Sequence, residues 1–149
     1  MWMPCDLLLL GLFAWTYRLG LLFAPAARRA AARMPFDERD DGAALIDLFE
    51  LRGALRNGQV VRARAIAERL LQIRTIGGHR RGHALRFLAQ CQAMGGLNSD
   101  VESLFQAACD EFGYIESMVD VRNVHRTGVI CAVWRGDIAS ARQQKSSSP

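Results

Sequence analysis

The chain has 149 residues, of which 50% are hydrophobic and 23% are charged, and its formal net charge is +4. This balance excludes wholesale disorder. The content of 13 Gly and 4 Pro excludes a collagen-like chain or a long flexible linker. The length is sufficient for one domain with a modest hydrophobic core, and the composition indicates no particular reaction or ligand.

The first 33 residues are unusually apolar. Residues 7–24 form an apolar run interrupted only by Thr16, Tyr17 and Arg18, and its length is close to the minimum that spans a bilayer. An Arg near a helix end can extend its charge to the membrane interface. Because further Arg residues follow the run, the positive-inside rule places the rest of the chain in the cytoplasm. We therefore expect a membrane or interfacial helix, with a helical body that is cytoplasmic or membrane-tethered.

Other interpretations of this segment stay open. A secretory signal needs positive charge before the apolar run, and residues 1–6 carry none, although residues 24–26 resemble a cleavage site. An organelle transit peptide agrees with the absence of acids from residues 7–36, but not with so uniform an apolar run. A dispensable extension and a helix packed on the body are the remaining alternatives. The predicted parts are an apolar segment at 1–33, a helical domain at 34–142 and a disordered tail at 143–149.

From Gly42 onward, apolar residues recur every three or four positions. This spacing is typical of amphipathic α-helices rather than of β-strands. It predicts an all-α body of about five or six helices. The apolar stripes comprise Leu45, Leu48, Phe49 and Leu55, then Val60, Ala63, Ile66, Ala67 and Leu70, then Ala84, Leu85, Leu88 and Cys91, and finally Val101, Leu104, Phe105, Ala108 and Phe112.

Glycines recur at a nearly fixed period between these stripes. Gly58, Gly96 and Gly136 are 38 and 40 residues apart. The strings that begin at Gly58 and at Gly136 share Gly, a polar residue, Val or Ile, two variable residues and Ala-Arg. A fixed period of this length is typical of a helical array. We predict that each glycine adopts a left-handed conformation where the first helix of a pair ends.

At these residues the chain resembles the tetratricopeptide-repeat superfamily, and the middle unit fits it best. The resemblance implies a right-handed stack of antiparallel helix pairs. It also implies a protein that binds proteins or peptides and performs no chemistry. The string that begins with Gly136, Asp137 and Ile138 also resembles degenerate repeats in large bacterial transcriptional regulators. The matching positions of the middle unit are Leu85, Leu88, Ala89, Gly96, Phe105 and Ala108.

Charge is distributed in opposed blocks. Residues 34–51 have a net charge of −5, residues 52–86 carry nine Arg and one acid, and residues 97–120 carry six acids and no base. We interpret these blocks as pairing across packed helices or as solvated faces. A second interpretation is an Arg-rich face that attracts an acidic partner. The arginines assigned to that face are Arg62, Arg64, Arg80, Arg81 and Arg86.

The last repeat is too short to complete a helix pair, because only two turns follow Gly136. A helical stack without a polar terminal helix leaves its final apolar face uncovered. We therefore predict an exposed apolar patch that supports self-association or partner binding, or that marks a truncated product of a longer protein. It is formed by Val129, Ile130, Val133 and Trp134.

Few residues suggest chemistry. His79 and His83 are four positions apart and can face one metal ion on a helix, but no third ligand is identifiable from the sequence. We expect two exposed histidines, and no metal or other cofactor. Residues 77–82 are predicted to form a flexible basic loop. A lesser alternative is that this segment binds an anion at the N-terminus of the next helix. The cysteines form no C-x-x-C pair, and three of them, Cys91, Cys109 and Cys131, are predicted in the core.

Taken together, these patterns predict a protein–protein interaction or scaffold module and not an enzyme. The expected partner is an acidic protein or peptide that binds the Arg-rich face. The alternative is a nucleic-acid-associated or transcription-regulator-like fragment that uses the same arginines. The absence of aromatic residues from residues 52–86 disfavours base stacking, so this alternative comes second.

Overall fold

A computed structural model describes residues 17–96, 100–115, 117–137, 142, 145 and 146. The described chain consists of helices and their connections, without a strand, which confirms the predicted all-α class. The helices are α1 (Tyr17–Ala31), α2 (Phe36–Arg56), α3 (Val60–Gln72), α4 (Gly78–Met94), α5 (Val101–Tyr114) and α6 (Met118–Trp134).

Helix α4 lies at the centre of the packing. Each helix contacts the next one along the chain, and α4 also contacts both α2 and α6. One face of α4 contributes Ala84 and Leu88 to a cluster with α2 and α3, and another face contributes Leu85 and Ala89 to a cluster with α5 and α6. Apolar residues around most of a helix are the pattern expected of a helix buried between two layers. The position of α4 therefore brings side chains of α2 and α6 towards the same helix.

The predicted glycine turns are confirmed. Gly58, Gly96 and Gly136 have φ values of 69°, 73° and 73°, in the left-handed region that favours glycine. After α2, the amide of Gln59 donates to the carbonyl of Ala54 at 2.9 Å, and Gly58 donates to Leu55 at 3.0 Å. After α6, Asp137 donates to Ala132 and Gly136 donates to Val133 in the same pattern. These are Schellman motifs, which satisfy the last carbonyls of a helix. Most of the string that follows Gly136 lies outside the described residues.

The second half of the N-terminal segment packs on the body. Three alanines on one face of α1 are buried against Ile46 of α2. Arg28 pairs with Asp47 at 2.5 Å and with Glu50 at 3.0 Å. Among the described helices, none has both the length and the apolar character needed to cross a membrane. Residues 1–16, which hold the first part of the apolar run, lie outside the description, as does most of the tail at 143–149.

The opposed charge blocks pair across neighbouring helices, as the first interpretation expected. Asp47 of α2 is buried, with 5% of its surface exposed, and accepts hydrogen bonds from Arg28 of α1 and Arg69 of α3. Arg80 of α4 pairs with Asp41 of α2. Much of the positive block is therefore neutralised within the protein.

The predicted basic loop at 77–82 is wrong. Gly77 is the N-terminal cap of α4, and residues from Gly78 onward are helical. The amide of Arg81 donates to the carbonyl of Gly77 at 3.0 Å, so the helix ladder begins at once. The intrinsic cost of glycine in a helix, about 1 kcal/mol relative to Ala, is outweighed here by tertiary packing. His79 and Arg80 consequently have the fixed directions of a helix rather than the freedom of a loop.

Candidate functional site

A cavity of about 230 Å³ lies between α2 and α4. Helical spacing explains its lining. Each helix directs residues three, four and seven positions apart to the same face, and the two faces meet across the cavity. The lining comprises Leu45, Leu48, Phe49 and Arg52 from α2, and His79, Arg80, His83, Arg86 and Phe87 from α4.

The cavity is positively charged. Arg80 is held by its ion pair with Asp41, and the guanidinium of Arg86 lies 4.6 Å from the centre of the Phe87 ring. The Nε of Arg86 is buried and has no hydrogen-bond partner within the described part of the chain. Burial lowers the pKa of Arg86, and the charge of Arg52 lowers it further, against the opposing charge of Asp120. The Arg86 guanidinium therefore keeps a poorly compensated positive charge at the cavity.

Two histidines and an aspartate form a cluster beside the cavity. The Nε2 of His79 lies 3.0 Å from Oδ2 of Asp120, and the Nε2 of His83 lies 3.7 Å from Oδ1. Ser117, at the start of α6, donates a hydrogen bond of 2.6 Å to Oδ2 of Asp120. Burial raises the pKa of Asp120, but the Ser117 hydrogen bond and the histidines outweigh it, so the pKa is lowered. Asp120 is therefore ionised at neutral pH.

His83 has a strongly shifted pKa. Burial, followed by the positive charges of Arg86 and His79, lowers it to about 4 from an ordinary value of 6.5. His83 is therefore neutral at pH 7, although Asp120 lies beside it. A neutral imidazole has one nitrogen with a free lone pair, which can accept a hydrogen bond or bind a metal ion.

Phe112 of α5 supports both imidazole rings. Its ring packs edge-on against His79 and His83, with centroid separations of 5.8 and 5.0 Å. Gly82 makes this contact possible, because a Cβ at position 82 would lie 2.8 Å from the Phe112 ring. The glycine that weakens the helix in isolation thus permits the close approach of α4 and α5.

The five arginines assigned to a single face are placed in different surroundings. Only Arg80 and Arg86 line the described cavity. Arg81 pairs with Glu111 of α5 at 3.0 Å, and Arg64 pairs with Glu68 of its own helix at 2.7 Å. Arg62 is exposed and lies 3.4 Å from the side chain of Gln59. The structure therefore brings together two of the five.

Arg52 and Asp120 are site residues that were not predicted from the sequence. A signal for Arg52 was present, because it is seven positions after Leu45 and three after Phe49, on the same face of α2. Asp120 gave no such signal, since it is 41 residues from His79 and belongs to an acidic block that reads as solvated surface. The contact between His79 and Asp120 depends on the packing of α6 against α4.

The apolar residues predicted at the end of the stack lie on α6. Ile130, Val133 and Trp134 are 41%, 54% and 57% exposed, whereas Val129 is half-buried. Exposed apolar side chains near one another are typical of surfaces that contact other molecules.

The cysteines provide no reactive thiolate among the described residues. Cys91 and Cys131 are buried, as predicted, and burial raises their pKa values to about 12 and about 11. Cys109 is half-buried, with its sulfur 3.8 Å from Nε2 of His125. Burial raises the pKa of Cys109 as well, whereas a nucleophilic cysteine needs a lowered pKa.

The described site thus offers a small, positively charged cavity and an adjoining cluster of two imidazoles with one carboxylate. The cavity can accept an acidic group, and the cluster can share a proton or bind a cation. Comparisons with protein-family models, with curated proteins and with solved structures found no match to this chain.

Proposed function

We propose that the protein is a non-catalytic interaction module whose cavity between α2 and α4 accepts an acidic side chain of a partner protein. The observation that carries this proposal is Arg86, whose buried Nε has no hydrogen-bond partner among the described residues. A buried N–H group without a hydrogen-bond partner costs free energy, and an incoming carboxylate that accepts from it removes that cost. Arg52, on the opposite wall, adds positive charge to the same cavity.

The size of the cavity supports a side chain as the occupant. Its volume of about 230 Å³ is below the range of roughly 300–1,000 Å³ that is usual for small-molecule sites. Leu45 and Phe49 provide apolar walls around the cations. An acidic residue flanked by an apolar one matches this lining better than a large cofactor does.

The architecture that we propose is a stack of helix pairs resembling tetratricopeptide repeats. The repeated glycine turns and the contacts of α4 with α2 and α6 support it. In such a stack, the first helices of successive pairs lie side by side, and here α2 and α4 hold the cavity. One pair cannot bury its own apolar faces, so the stacking also accounts for the shared core.

The experiment measures binding of a short fluorescein-labelled peptide rich in Glu, and of its Gln counterpart, to the full chain by fluorescence anisotropy. We expect the Glu peptide to bind and Arg86→Met to weaken binding about tenfold or more, because hydrogen bonds with charged groups contribute roughly 1.5–3 kcal/mol. Arg62→Met is the matched control, since Arg62 is exposed and does not line the cavity.

Equal binding of the Glu and Gln peptides, or an unchanged affinity after Arg86→Met, would overturn the proposal. A labelled DNA duplex tests the nucleic-acid alternative in the same assay. Binding of DNA that is lost with Arg62→Met and retained with Arg86→Met would favour that alternative, because exposed arginines contact phosphates without a cavity.

A further inference from the structure

His79 and His83 present two imidazole nitrogens on one face of α4. Their spacing of four residues places them one helical turn apart, and the ring centroids are 4.6 Å apart. The side chain of His79 is 55% exposed, and that of His83 is 21% exposed, so the pair lies at the surface end of the cavity. An ion from solution can therefore reach it.

Asp120 of α6 completes a group of three ligand atoms. One atom from each of His79, His83 and Asp120 lies within 4.8 Å of the other two. In a tetrahedral zinc site, the metal–ligand distances are about 2.0–2.2 Å, which places neighbouring ligand atoms about 3.4 Å apart. The Nε2 of His79 lies 3.0 Å from Oδ2 of Asp120, and the Nε2 of His83 lies 3.7 Å from Oδ1, so these two separations involve different oxygens of the carboxylate. An ion would bind both oxygens, or a rotation of the carboxylate would turn one oxygen towards both imidazoles.

The hydrogen bonds among the described residues do not satisfy both ring nitrogens of His83. The separation of 3.7 Å between His83 and Asp120 is too long for a hydrogen bond. The other ring nitrogen of His83, Nδ1, is buried and has no hydrogen-bond partner in the described chain. The Nε2 of His83 therefore faces a carboxylate oxygen that it does not contact directly. A cation between this nitrogen and Asp120 would bind both groups.

The surroundings hold these groups in place. Ser117 hydrogen-bonds to Asp120, and the Phe112 ring packs against both imidazoles. Fixed ligands lower the cost of assembling a metal site, and groups that orient the ligands contribute to affinity. None of these supporting contacts requires a residue from a second molecule.

We propose that His79, His83 and Asp120 bind a divalent transition metal ion, with Zn²⁺ as the ion best matched by two imidazoles and one carboxylate. Three protein ligands leave a fourth position for water or an anion. The nearby charges of Arg52 and Arg86 favour an anion there. This proposal does not depend on the acidic partner, because all three ligands belong to this chain.

The test is a titration of the metal-free full chain with Co²⁺, which has visible absorption and occupies zinc sites, followed by displacement with Zn²⁺. We expect one Co²⁺ per chain and the intense absorption of a tetrahedral ion. His79→Gln and Asp120→Asn should each weaken binding at least about tenfold, since loss even of a supporting group costs 10–100-fold. His125→Gln is the matched control, because His125 lies outside the cluster.

Because His79 is largely exposed, its substitution should preserve the fold, and circular dichroism of each variant checks this. Wild-type protein that binds no Co²⁺ would overturn the proposal. A folded His79→Gln variant with unchanged affinity would overturn it as well, as would equal loss in His125→Gln. A sulfur-to-cobalt charge-transfer band would assign the ion to a cysteine and also overturn it.

Discussion

Two regions of the molecule use arginines in opposite ways. Around Asp47, the arginines of α1 and α3 converge on one buried carboxylate of α2. In the cavity between α2 and α4, Arg86 is partly buried, and its Nε has no hydrogen-bond partner among the described residues. The first arrangement joins three helices, whereas the second, in the function that we propose, offers a positive charge to a partner. An arginine-rich segment therefore supports both the fold and the proposed binding site, and its composition alone does not distinguish the two roles.

The largest expected effect is the loss of the Asp47 network. Asp47→Ala removes the acceptor shared by Arg28 and Arg69 and leaves a space in the contact of α1, α2 and α3. We expect the free energy of unfolding to fall by about 2–3 kcal/mol, less than for a fully buried pair, because both arginines are 40% or more exposed. Urea unfolding measures this change. Glu68→Ala, which removes an exposed pair with Arg64, should cost less than about 0.5 kcal/mol.

The second prediction concerns pH in the presence of a chelator. Unfolded His83 takes up a proton near pH 6.5, whereas folded His83 does so only near pH 4. The unfolded state therefore binds more protons between these values, and stability is lost as the pH falls through this window. We expect His83 to contribute roughly 2 kcal/mol to that loss.

The measurement compares urea unfolding at pH 7 and pH 4.5 for the wild type and His83→Phe. The substitution removes the titrating group, so the variant should lose less stability between the two pH values than the wild type does. An equal loss in both proteins would contradict the shifted pKa of His83. Asp120, with its lowered pKa, contributes only at still lower pH, since its carboxylate stays ionised above its ordinary value of 3.8.

The third prediction separates the two roles of arginine directly. Arg86→Met replaces a partly buried, poorly compensated charge with an apolar side chain of similar length. We expect the free energy of unfolding to stay unchanged or to rise by about 1 kcal/mol, because such replacements are often neutral or stabilising. The same change should weaken binding of the acidic peptide. A loss of stability comparable to that of Asp47→Ala would instead show that Arg86 has a structural role.

The smallest effect is expected from a pair of helical glycines. Gly82→Ala places a Cβ 2.8 Å from the buried Phe112 ring, and we expect a net loss of about 1 kcal/mol after the gain in helix propensity. Gly113→Ala meets no atom within 4 Å and should raise stability by up to about 1 kcal/mol. Thermal unfolding of both variants tests the contrast. Stabilisation by both would mean that α4 and α5 separate easily at the Phe112 contact.

Part of the fold could be predicted from local patterns. The helical stripes and the left-handed Gly58, Gly96 and Gly136 depend on residues within a few positions of each other, so they are visible in a single sequence. The basic loop at 77–82 was wrong because its glycines are unfavourable in an isolated helix, whereas Gly82 is required by the ring of Phe112 in the folded protein. Local preference and tertiary packing disagree at this position.

The candidate site also depends partly on local sequence pattern and partly on tertiary packing. His79 and His83 were recognisable as a possible pair, but without a third ligand the sequence favoured two exposed residues. Asp120 lies 41 positions away, and only the packing of α6 on α4 brings it within 3.0 Å of His79. Arg80 was recognised, while its carboxylate partner 39 positions earlier was not.

By itself, the sequence determined the helices, their glycine ends and the tendency of opposed charge blocks to pair, because these follow from short-range geometry and from charge. Only the tertiary structure decided which arginine meets which carboxylate among the described residues. The physical reason is that an ion pair requires a separation of about 4 Å or less. Whether two side chains 20–40 residues apart meet that limit depends on how their helices pack.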